Sequence, residues 1–321
     1  MFPTTRILLL LIAFGVLLTP VNGQVSDSKE LTGSFDISGS GTLYPLTEAV
    51  VTLYTKYHPN VSIDLKSTGS SAGLEAFCEG KVPIVNSSRR ISIKEEKRAQ
   101  SNGIQFYEIP VAADGITLIA NKENNFLKYL TVNELRLLMK QNSPIRKWSD
   151  LRTDWPDEPV VIYGPDSSHG TYDYFVEKIL TQQRTFRTDY RAIQDYDDII
   201  EGVAQNRYAI GYAGFDYYYS HKEDIRGIAI DNGDGPVEPS YININRGNYR
   251  PLSRTLYIYV SADAAQQPAV EKFVTFYLRS ARVLSSKIGF VPFDNDFYRE
   301  VLASYQNGKT GMVQYSKASS Q

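Results

Sequence analysis

The amino-acid sequence predicts an α/β protein built on a mostly parallel sheet. Short runs rich in β-branched residues alternate with segments whose apolar residues recur at helical spacing, and this alternation is typical of parallel sheets covered by helices. The chain has 321 residues, enough for a large core or for two domains. Its single cysteine cannot form an internal disulfide, so we expect a hydrophobic core to hold the fold together.

Each strand is predicted where a β-branched run is bounded by turn residues, at Phe35–Gly39, Val61–Ser67, Val82–Asn86, Pro159–Gly164, Arg207–Ala213, Gly227–Ile230 and Leu256–Ser261. Helices are predicted at Pro45–His58 and at about 70–80, 92–102, 131–141, 171–182, 196–206 and 265–288. The segment Ile104–Asn121 is unusually long for one strand, and we expect a break at Ala113–Gly115. Without a low-complexity linker, two domains would have to be joined by crossing strands, near Asp114 and Leu256–Val260.

The first 23 residues have the features of a secretory signal peptide. Arg6 precedes the apolar run Ile7–Leu18, and Val21–Gly23 offers a cleavage site near Gly23. The run is short for a membrane span, which needs about 20 apolar residues. No cysteine follows it, so a lipoprotein anchor is not expected. We therefore expect an exported, periplasmic protein.

The charge balance indicates no affinity for polyanions. The formal net charge is −2 at pH 7, so the chain has no overall attraction for nucleic acid or for anionic lipid. Any bound anion must therefore be held by groups placed around one site and not by the overall charge of the protein. Cys78 follows an apolar helical segment, and we expect a small buried residue rather than a reactive thiol, because no histidine or basic cluster stands near it in sequence.

Three loops of small and hydroxyl residues each lead from a predicted strand into a predicted helix. The segments are SGSGTLYPLTEAV with Thr42, STGSSAGLEAFCEG with Ser70, and GPDSSHGTYDYFVEKIL with Gly170 and Thr171. The start of a helix offers free backbone N–H groups and a positive dipole end, and both attract anions. One such loop is weak evidence, because Ser and Thr cap many helices. Three in one chain predict an anion site if they converge.

A fourth element is the segment Asn86–Arg90, at the end of the predicted strand VPIV. Arg89 follows the strand end and could hold an oxyanion through two N–H groups, with Ser88 completing the shell. The alternative is a solvated basic face, because mixed charges continue after it. We expect Arg90 on the surface.

Motifs of enzymes and cofactor sites are absent from the sequence. The loop GSGTLYP lacks the lysine of a nucleotide-binding P-loop and the third glycine of a dinucleotide loop, and no GxSxG occurs. His58, His169 and His221 are far apart in sequence, and with one cysteine they form no metal motif. We therefore expect no enzyme, no cofactor and no metal. His169 stays open as a functional residue, because it lies in the third loop.

Together these segments resemble the PstS family, the periplasmic phosphate-binding proteins of phosphate ABC transporters. The similarity includes IPVAADGITLIAN, GYAGFDYYY and PLSRTLYIYV, and extends in order from about residue 33 to about residue 305. The resemblance implies a type II periplasmic-binding-protein fold with two lobes joined by two hinge strands. By position, residues 24–114 and 256–321 would form lobe I, and residues 115–255 would form lobe II. It also implies high-affinity binding of inorganic phosphate by a monomer, and delivery to the permease and ATPase of an ABC importer.

The resemblance also implies which residues bind phosphate. The expected ligands are Thr42, the backbone N–H of Leu43, Ser70, Ser88, Arg89, Gly170 and Thr171. Many members of the family have an aspartate where this chain has Ser88, and that carboxylate accepts the proton of hydrogen phosphate.

Two further departures from the family bear on the site. Many members have an arginine where this chain has Pro165, and a serine usually stands where this chain has His169. Arg89 is the candidate replacement for the missing arginine, and Asp114 or His169 for the missing proton acceptor. Selectivity for phosphate over sulfate therefore stays open. Two alternative functions on the same fold also stay open, a phosphatase and an anion sensor or adhesin.

Overall fold

The structure is a computed structural model that describes residues 30–167, 169–181 and 185–315. The predicted signal peptide lies outside these residues. In the described part, strands and helices alternate as the sequence predicts, and a sheet of nine strands runs through the molecule. The α/β fold class is confirmed.

The strands are β1 (Gly33–Gly39), β2 (Val61–Ser67), β3 (Ile84–Ser87), β4 (Phe106–Asn121), β5 (Tyr129–Thr131), β6 (Val161–Pro165), β7 (Arg191–Ile193), β8 (Ala209–Gly214), β9 (Ile225–Gly227), β10 (Ala229–Asp231), β11 (Pro236–Val237) and β12 (Ser253–Ser261). The helices are α1 (Tyr44–Tyr57), α2 (Ser70–Cys78), α3 (Ile93–Ser101), α4 (Val132–Met139), α5 (Gly170–Phe175), α6 (Tyr196–Ala204), α7 (Phe215–Ser220), α8 (Tyr241–Asn245), α9 (Ala262–Ala265), α10 (Pro268–Ile288) and α11 (Asn295–Gln306).

Two parallel groups of strands are joined by an antiparallel pair in the middle of the sheet. The order is β2-β1-β3-β12-β4-β8-β6-β7, with β9 also paired to β4. Strand β1 runs parallel to β2 and β3, and β6 runs parallel to β7 and β8. Strands β12 and β4 are antiparallel to each other and to their outer neighbours β3 and β8. The carboxyl ends of both parallel groups carry the loops that the sequence singles out.

Strand β4 is one continuous strand of 16 residues, so the predicted break at Ala113–Gly115 is wrong. This segment stays paired with Ser253–Thr255 of β12, and the next residues pair with β8 instead. Strand β4 therefore changes its hydrogen-bonded neighbour from β12 to β8 at this point, while its backbone stays extended. Asp114 is partly buried, whereas every other residue of β4 is buried.

Other predicted boundaries differ because packing outweighs local pattern. The predicted strand Gly227–Ile230 is split, because β9 pairs with β4 whereas β10 joins a small second sheet with β5 and β11. The predicted helix at 171–182 is α5 followed by a π-helical turn, Val176–Leu180. Helix α11 was not predicted. It is amphipathic, and Asp294 caps it by accepting a hydrogen bond from the Phe297 N–H.

Helix α10 is the longest helix in the described part and packs on α1. Phe273 of α10 meets Tyr54 of α1 edge-on at 5.3 Å. Cys78 is fully buried at the end of α2, as predicted, and burial raises the pKa of its thiol. From Leu31 onward the described residues form one compact unit, and the division into lobes stays a prediction. Among these residues, no helix has the length and apolar character that a membrane span requires.

Candidate anion-binding site

The first loop connects β1 to α1 and lies against the end of β3. Its Ser40 N–H donates to the Asn86 carbonyl at 2.9 Å, which ties the loop to the neighbouring strand. The Leu43 N–H donates to the Ser40 hydroxyl at 3.4 Å, and the Leu43 side chain is buried in the core. Thr42 instead lines an open cleft. The loop therefore presents the Thr42 hydroxyl, while the Leu43 N–H already has a partner within the loop.

The second loop and the end of β3 meet in the same cleft. Helix α2 begins at Ser70 after Gly69, whose φ of 86° suits glycine. The Ser70 and Ser88 hydroxyls lie 3.1 Å apart, and the Ser88 N–H donates to the Ser70 hydroxyl at 3.0 Å. The two residues, 18 positions apart in the chain, thus form one polar pair at the cleft wall.

The third loop also lines this cleft. Helix α5 begins at Gly170, and its first turn has no side-chain cap from His169. His169 and Thr171 both line the cleft. The Thr171 hydroxyl accepts a hydrogen bond from the Tyr196 hydroxyl at 2.6 Å, and the His169 ring meets the Tyr196 ring edge-on at 5.1 Å. Burial raises the pKa of Tyr196 to about 12, so this hydroxyl keeps its proton at neutral pH.

Arg254, which no sequence motif singles out, links the first loop to β4 and to α5. Arg254 of β12 lies opposite Asp114 in the strand register, and the two side chains form an ion pair of 2.9 Å. The Arg254 guanidinium also donates to the Thr42 hydroxyl at 3.0 Å, and it lies 3.5 Å from the centre of the Tyr174 ring. Only 13% of its side chain is exposed. A charged residue inside the apolar run of PLSRTLYIYV was the available signal.

The two arginines after β3 are both held by carboxylates. Arg89 lines the cleft, and its guanidinium donates to both oxygens of Glu95 at 2.7 and 2.8 Å. This pairing holds the pKa of Glu95 at about 2, well below its usual value. Arg90 is exposed, as expected, but it also pairs with the buried carboxylate of Glu108 at 2.6 Å.

The cleft has a volume of about 1030 Å³ and no excess of either charge. Its charged lining consists of three cations (Arg89, Lys178, Arg254) and three carboxylates (Asp114, Asp173, Glu177). Seven expected ligands line it, namely Thr42, Ser70, Ser88, Arg89, Asp114, His169 and Thr171. Gly170 and Leu43 are the other two expected ligands, and whether any of the nine binds an anion stays a prediction. No group of residues suited to a metal ion occurs in the described ranges.

Known proteins resemble this chain over most of its length. A model of the PBP superfamily domain matches residues 25–281. Protein SphX of Synechocystis is 38% identical over 89% of this chain and 86% of its own. Phosphate-binding protein PstS of Staphylococcus epidermidis is 31% identical over 88% of this chain and 85% of its own. The structure of a possible phosphate binding protein from Planctomyces limnophilus is 30% identical, with a TM-score of 0.78 over 86% of this chain and 97% of its own. The chain therefore belongs to the PBP superfamily and, within it, to the PstS family.

Proposed function

We propose that this protein binds inorganic phosphate outside the cytoplasm and delivers it to an ABC importer. The observation that carries the proposal is the position of Arg254, a largely buried cation in the cleft that the three loops and the end of β3 line. Its neighbours are hydroxyls and a carboxylate, which suit an oxyanion that still bears a proton. Relatives named phosphate-binding proteins support the choice of phosphate.

The arrangement can bind an anion without net charge. A hydrogen bond to a charged group contributes about 1.5–3 kcal/mol, so several bonds from Arg254, Thr42, Ser70 and Ser88 together can offset desolvation of the anion. Arg254 is already held by Asp114 and lies over the Tyr174 ring, so little side-chain freedom remains to be lost on binding. In this proposal Arg254 supplies the positive charge that many relatives have from an arginine at the position of Pro165. Arg89 contributes a second positive charge at the edge of the cleft.

Asp114 is the proposed acceptor for the proton of hydrogen phosphate. It is the accessible residue of β4 and shares Arg254 with the bound anion in this proposal. Sulfate has no proton at neutral pH, so it would meet the Asp114 carboxylate with charge repulsion and no hydrogen bond. Phosphate and arsenate have the proton and would be accepted.

Isothermal titration calorimetry with phosphate, arsenate, sulfate and molybdate tests the proposal. We expect phosphate and arsenate to bind and sulfate not to bind. Arg254→Met should weaken phosphate binding by about 30-fold or more, since truncating one member of a buried ion pair costs at least about 2 kcal/mol. The matched control is Arg279→Met, an exposed arginine outside the cleft, and it should bind like wild type.

Asp114→Asn tests the selectivity separately. We expect it to narrow the ratio of phosphate to sulfate affinity, because the amide can donate a hydrogen bond to sulfate where the carboxylate repels it. The double variant Arg254→Met/Asp114→Asn avoids an unpaired carboxylate and should still bind phosphate weakly. Protein that binds no phosphate, or Arg254→Met that binds it normally, would overturn the assignment.

Export through the predicted signal peptide, a monomeric state, and transfer to a permease and its ATPase belong to the same proposal. We infer no enzymatic step, and the names of the relatives describe binding rather than turnover. A phosphatase would need His169 beside a nucleophile or a carboxylate, whereas this ring packs on Tyr196. Turnover of a phosphate monoester that is lost in His169→Ala would favour the phosphatase instead.

A further inference from the structure

The ring of Tyr174 lies against the cation of the cleft. The central carbon of the Arg254 guanidinium is 3.5 Å from the centre of this ring, so the planar group lies over the ring face. Tyr174 lines the cleft, although only 3% of it is exposed. The face of the ring has no hydrogen-bond donor for an anion. Any part that the ring has in anion binding must therefore act through Arg254.

The hydroxyl of Tyr174 is anchored to the chain that leads into β12. It donates to the carbonyl of Pro251 at 3.1 Å, and Pro251 stands three positions before Arg254. Burial raises the pKa of this hydroxyl above its ordinary value, so it keeps its proton and stays a donor at neutral pH. The ring is therefore tied at its polar end to the same segment that carries the guanidinium.

The hydrogen bonds of Arg254 leave one nitrogen without a partner. Nε and Nη2 both donate to Oδ2 of Asp114, at 3.0 and 2.9 Å, and Nη2 also donates to the Thr42 hydroxyl at 3.0 Å. Nη1 makes no hydrogen bond to the residues that the structure describes. The N–H groups of Nη1 therefore remain for an anion in the cleft.

These hydrogen bonds do not fix the plane of the guanidinium. A carboxylate that accepts through both oxygens fixes this plane, whereas Asp114 accepts through Oδ2 alone. Thr42 adds one further oxygen, and the group could still turn about the line that joins the two oxygens. The Tyr174 ring blocks this rotation on its own side. The direction of the Nη1 N–H groups therefore depends on the ring.

Helix α5 relates this ring to the third loop. Thr171 and Tyr174 are three positions apart in α5, so they lie on the same face of the helix, and both line the cleft. The segment that carries an expected phosphate ligand thus also carries the ring that orients Arg254.

We propose that Tyr174 is a positioning residue for phosphate binding. Its ring holds the Arg254 guanidinium in the orientation in which Nη1 donates to the anion, and the ring itself does not contact the anion. Without the ring, the guanidinium would have to be ordered when phosphate binds, and this ordering lowers affinity. The inference rests on the proposed function, because phosphate is the ligand for which Arg254 is positioned.

Calorimetry with phosphate on variants of Tyr174 is the first test. Tyr174→Leu should weaken phosphate binding by about tenfold, which corresponds to about 1.4 kcal/mol and lies within the range of a cation–π contact. Tyr174→Met is a second variant with a more adaptable side chain and should show the same loss. Tyr174→Phe keeps the ring and should bind phosphate within about threefold of wild type.

The matched control is Tyr54→Leu. Tyr54 is also a buried tyrosine whose hydroxyl donates to a backbone carbonyl, that of Ala269 at 2.8 Å, but it does not line the cleft. This variant should be less stable than wild type and should bind phosphate like wild type. Circular dichroism checks that each variant is folded at the temperature of the titration.

A double variant separates positioning from a general structural role. Arg254→Met has no guanidinium to orient, so adding Tyr174→Leu to it should change its phosphate affinity by less than about twofold, measured with phosphate up to millimolar concentration. Urea denaturation of the same proteins without phosphate should give losses of stability that are not additive, because both single changes remove the same contact.

The outcomes distinguish this inference from the proposed function. Wild-type protein that binds no phosphate would overturn both. If wild type binds phosphate and Tyr174→Leu binds it equally well, only the inference is overturned. The same holds if the tenfold loss persists in the Arg254→Met background, or if the two losses of stability are additive.

Discussion

At the scale of single residues, the least exposed cation that lines the cleft, Arg254, lies on a strand and not in a loop. The sequence pattern favours Arg89 as the positive charge of the site, because it directly follows a strand end beside two serines. In the structure the two terminal nitrogens of Arg89 both donate to Glu95, whereas Arg254 contacts Asp114 and Thr42. Only the strand register brings Arg254 opposite Asp114, 140 positions away, and no local pattern predicts that distance.

The pair Arg90 and Glu108 leads to a prediction about stability. Arg90→Met should lower the free energy of unfolding by about 1–3 kcal/mol, because it leaves the carboxylate of Glu108, which is 1% exposed, without its charged partner. The loss is smaller than for a pair buried on both sides, since the Arg90 side chain is 41% exposed. Urea denaturation measures the change. The matched control is Arg98→Met, whose partners Glu75 and Glu79 are both far more exposed than Glu108. We expect this variant to lose at most about 1 kcal/mol. Equal losses in the two variants would contradict the argument.

At the scale of elements, the alternation of strands and helices was predictable, and so were the three loops. Strands β1, β2, β6 and β8 lie within a few residues of their predicted positions, because each is a short apolar or alternating run with turn residues near its ends. What could not be predicted depends on pairing between distant segments. The partner change along β4 and the split between β9 and β10 are set by neighbours far away in sequence. The contacts that join Ser70 to Ser88 follow from the order of β1 and β3 in the sheet.

Helix α2 provides a prediction at this scale. A methyl group at Gly73 would lie 2.6 Å from the Gly39 Cα and 2.8 Å from a methyl group of Val85, and the backbone of β1 cannot yield as a side chain can. Gly73→Ala should therefore push α2 away from β1 and cost about 1–3 kcal/mol, although alanine favours helix formation. Because Ser70 begins this helix, phosphate affinity should also fall.

Thermal denaturation and phosphate titration of Gly73→Ala measure both effects. The control is Ala76→Gly in the same helix, which should cost about 1 kcal/mol through helix propensity and leave phosphate affinity unchanged. A Gly73→Ala variant that is as stable as wild type would mean that α2 can shift without strain.

At the scale of the whole molecule, one buried carboxylate makes global stability depend on pH. Asp216 lies in the first turn of α7 and packs against Gly289, which ends α10. Burial, and to a smaller extent the nearby charge of Asp114, raise the pKa of Asp216 to about 6. The folded protein thus binds this proton more tightly than the unfolded chain does. Asp216 therefore lowers stability progressively as pH rises from about 4 to about 6.

Asp216→Asn should remove this dependence. We expect it to raise the free energy of unfolding at pH 7 by up to about 3 kcal/mol, and to change it little at about pH 3, where the wild-type carboxyl is mostly protonated in both states. Denaturation at the two pH values measures the difference. Loss of stability at pH 7 would instead mean that the first N–H groups of α7 favour the charged form by more than burial opposes it.

The burial of Cys78 also has a consequence for labelling chemistry. The chain's one thiol is fully buried, its Sγ lies 3.4 Å from the Glu95 carbonyl, and burial raises its pKa. Thiol reagents react with exposed thiolates, so they should leave the native protein unmodified. A single cysteine introduced on the exposed rim of the cleft would then be the one site of reaction. A fluorophore attached there would report occupancy of the cleft without removal of the natural cysteine.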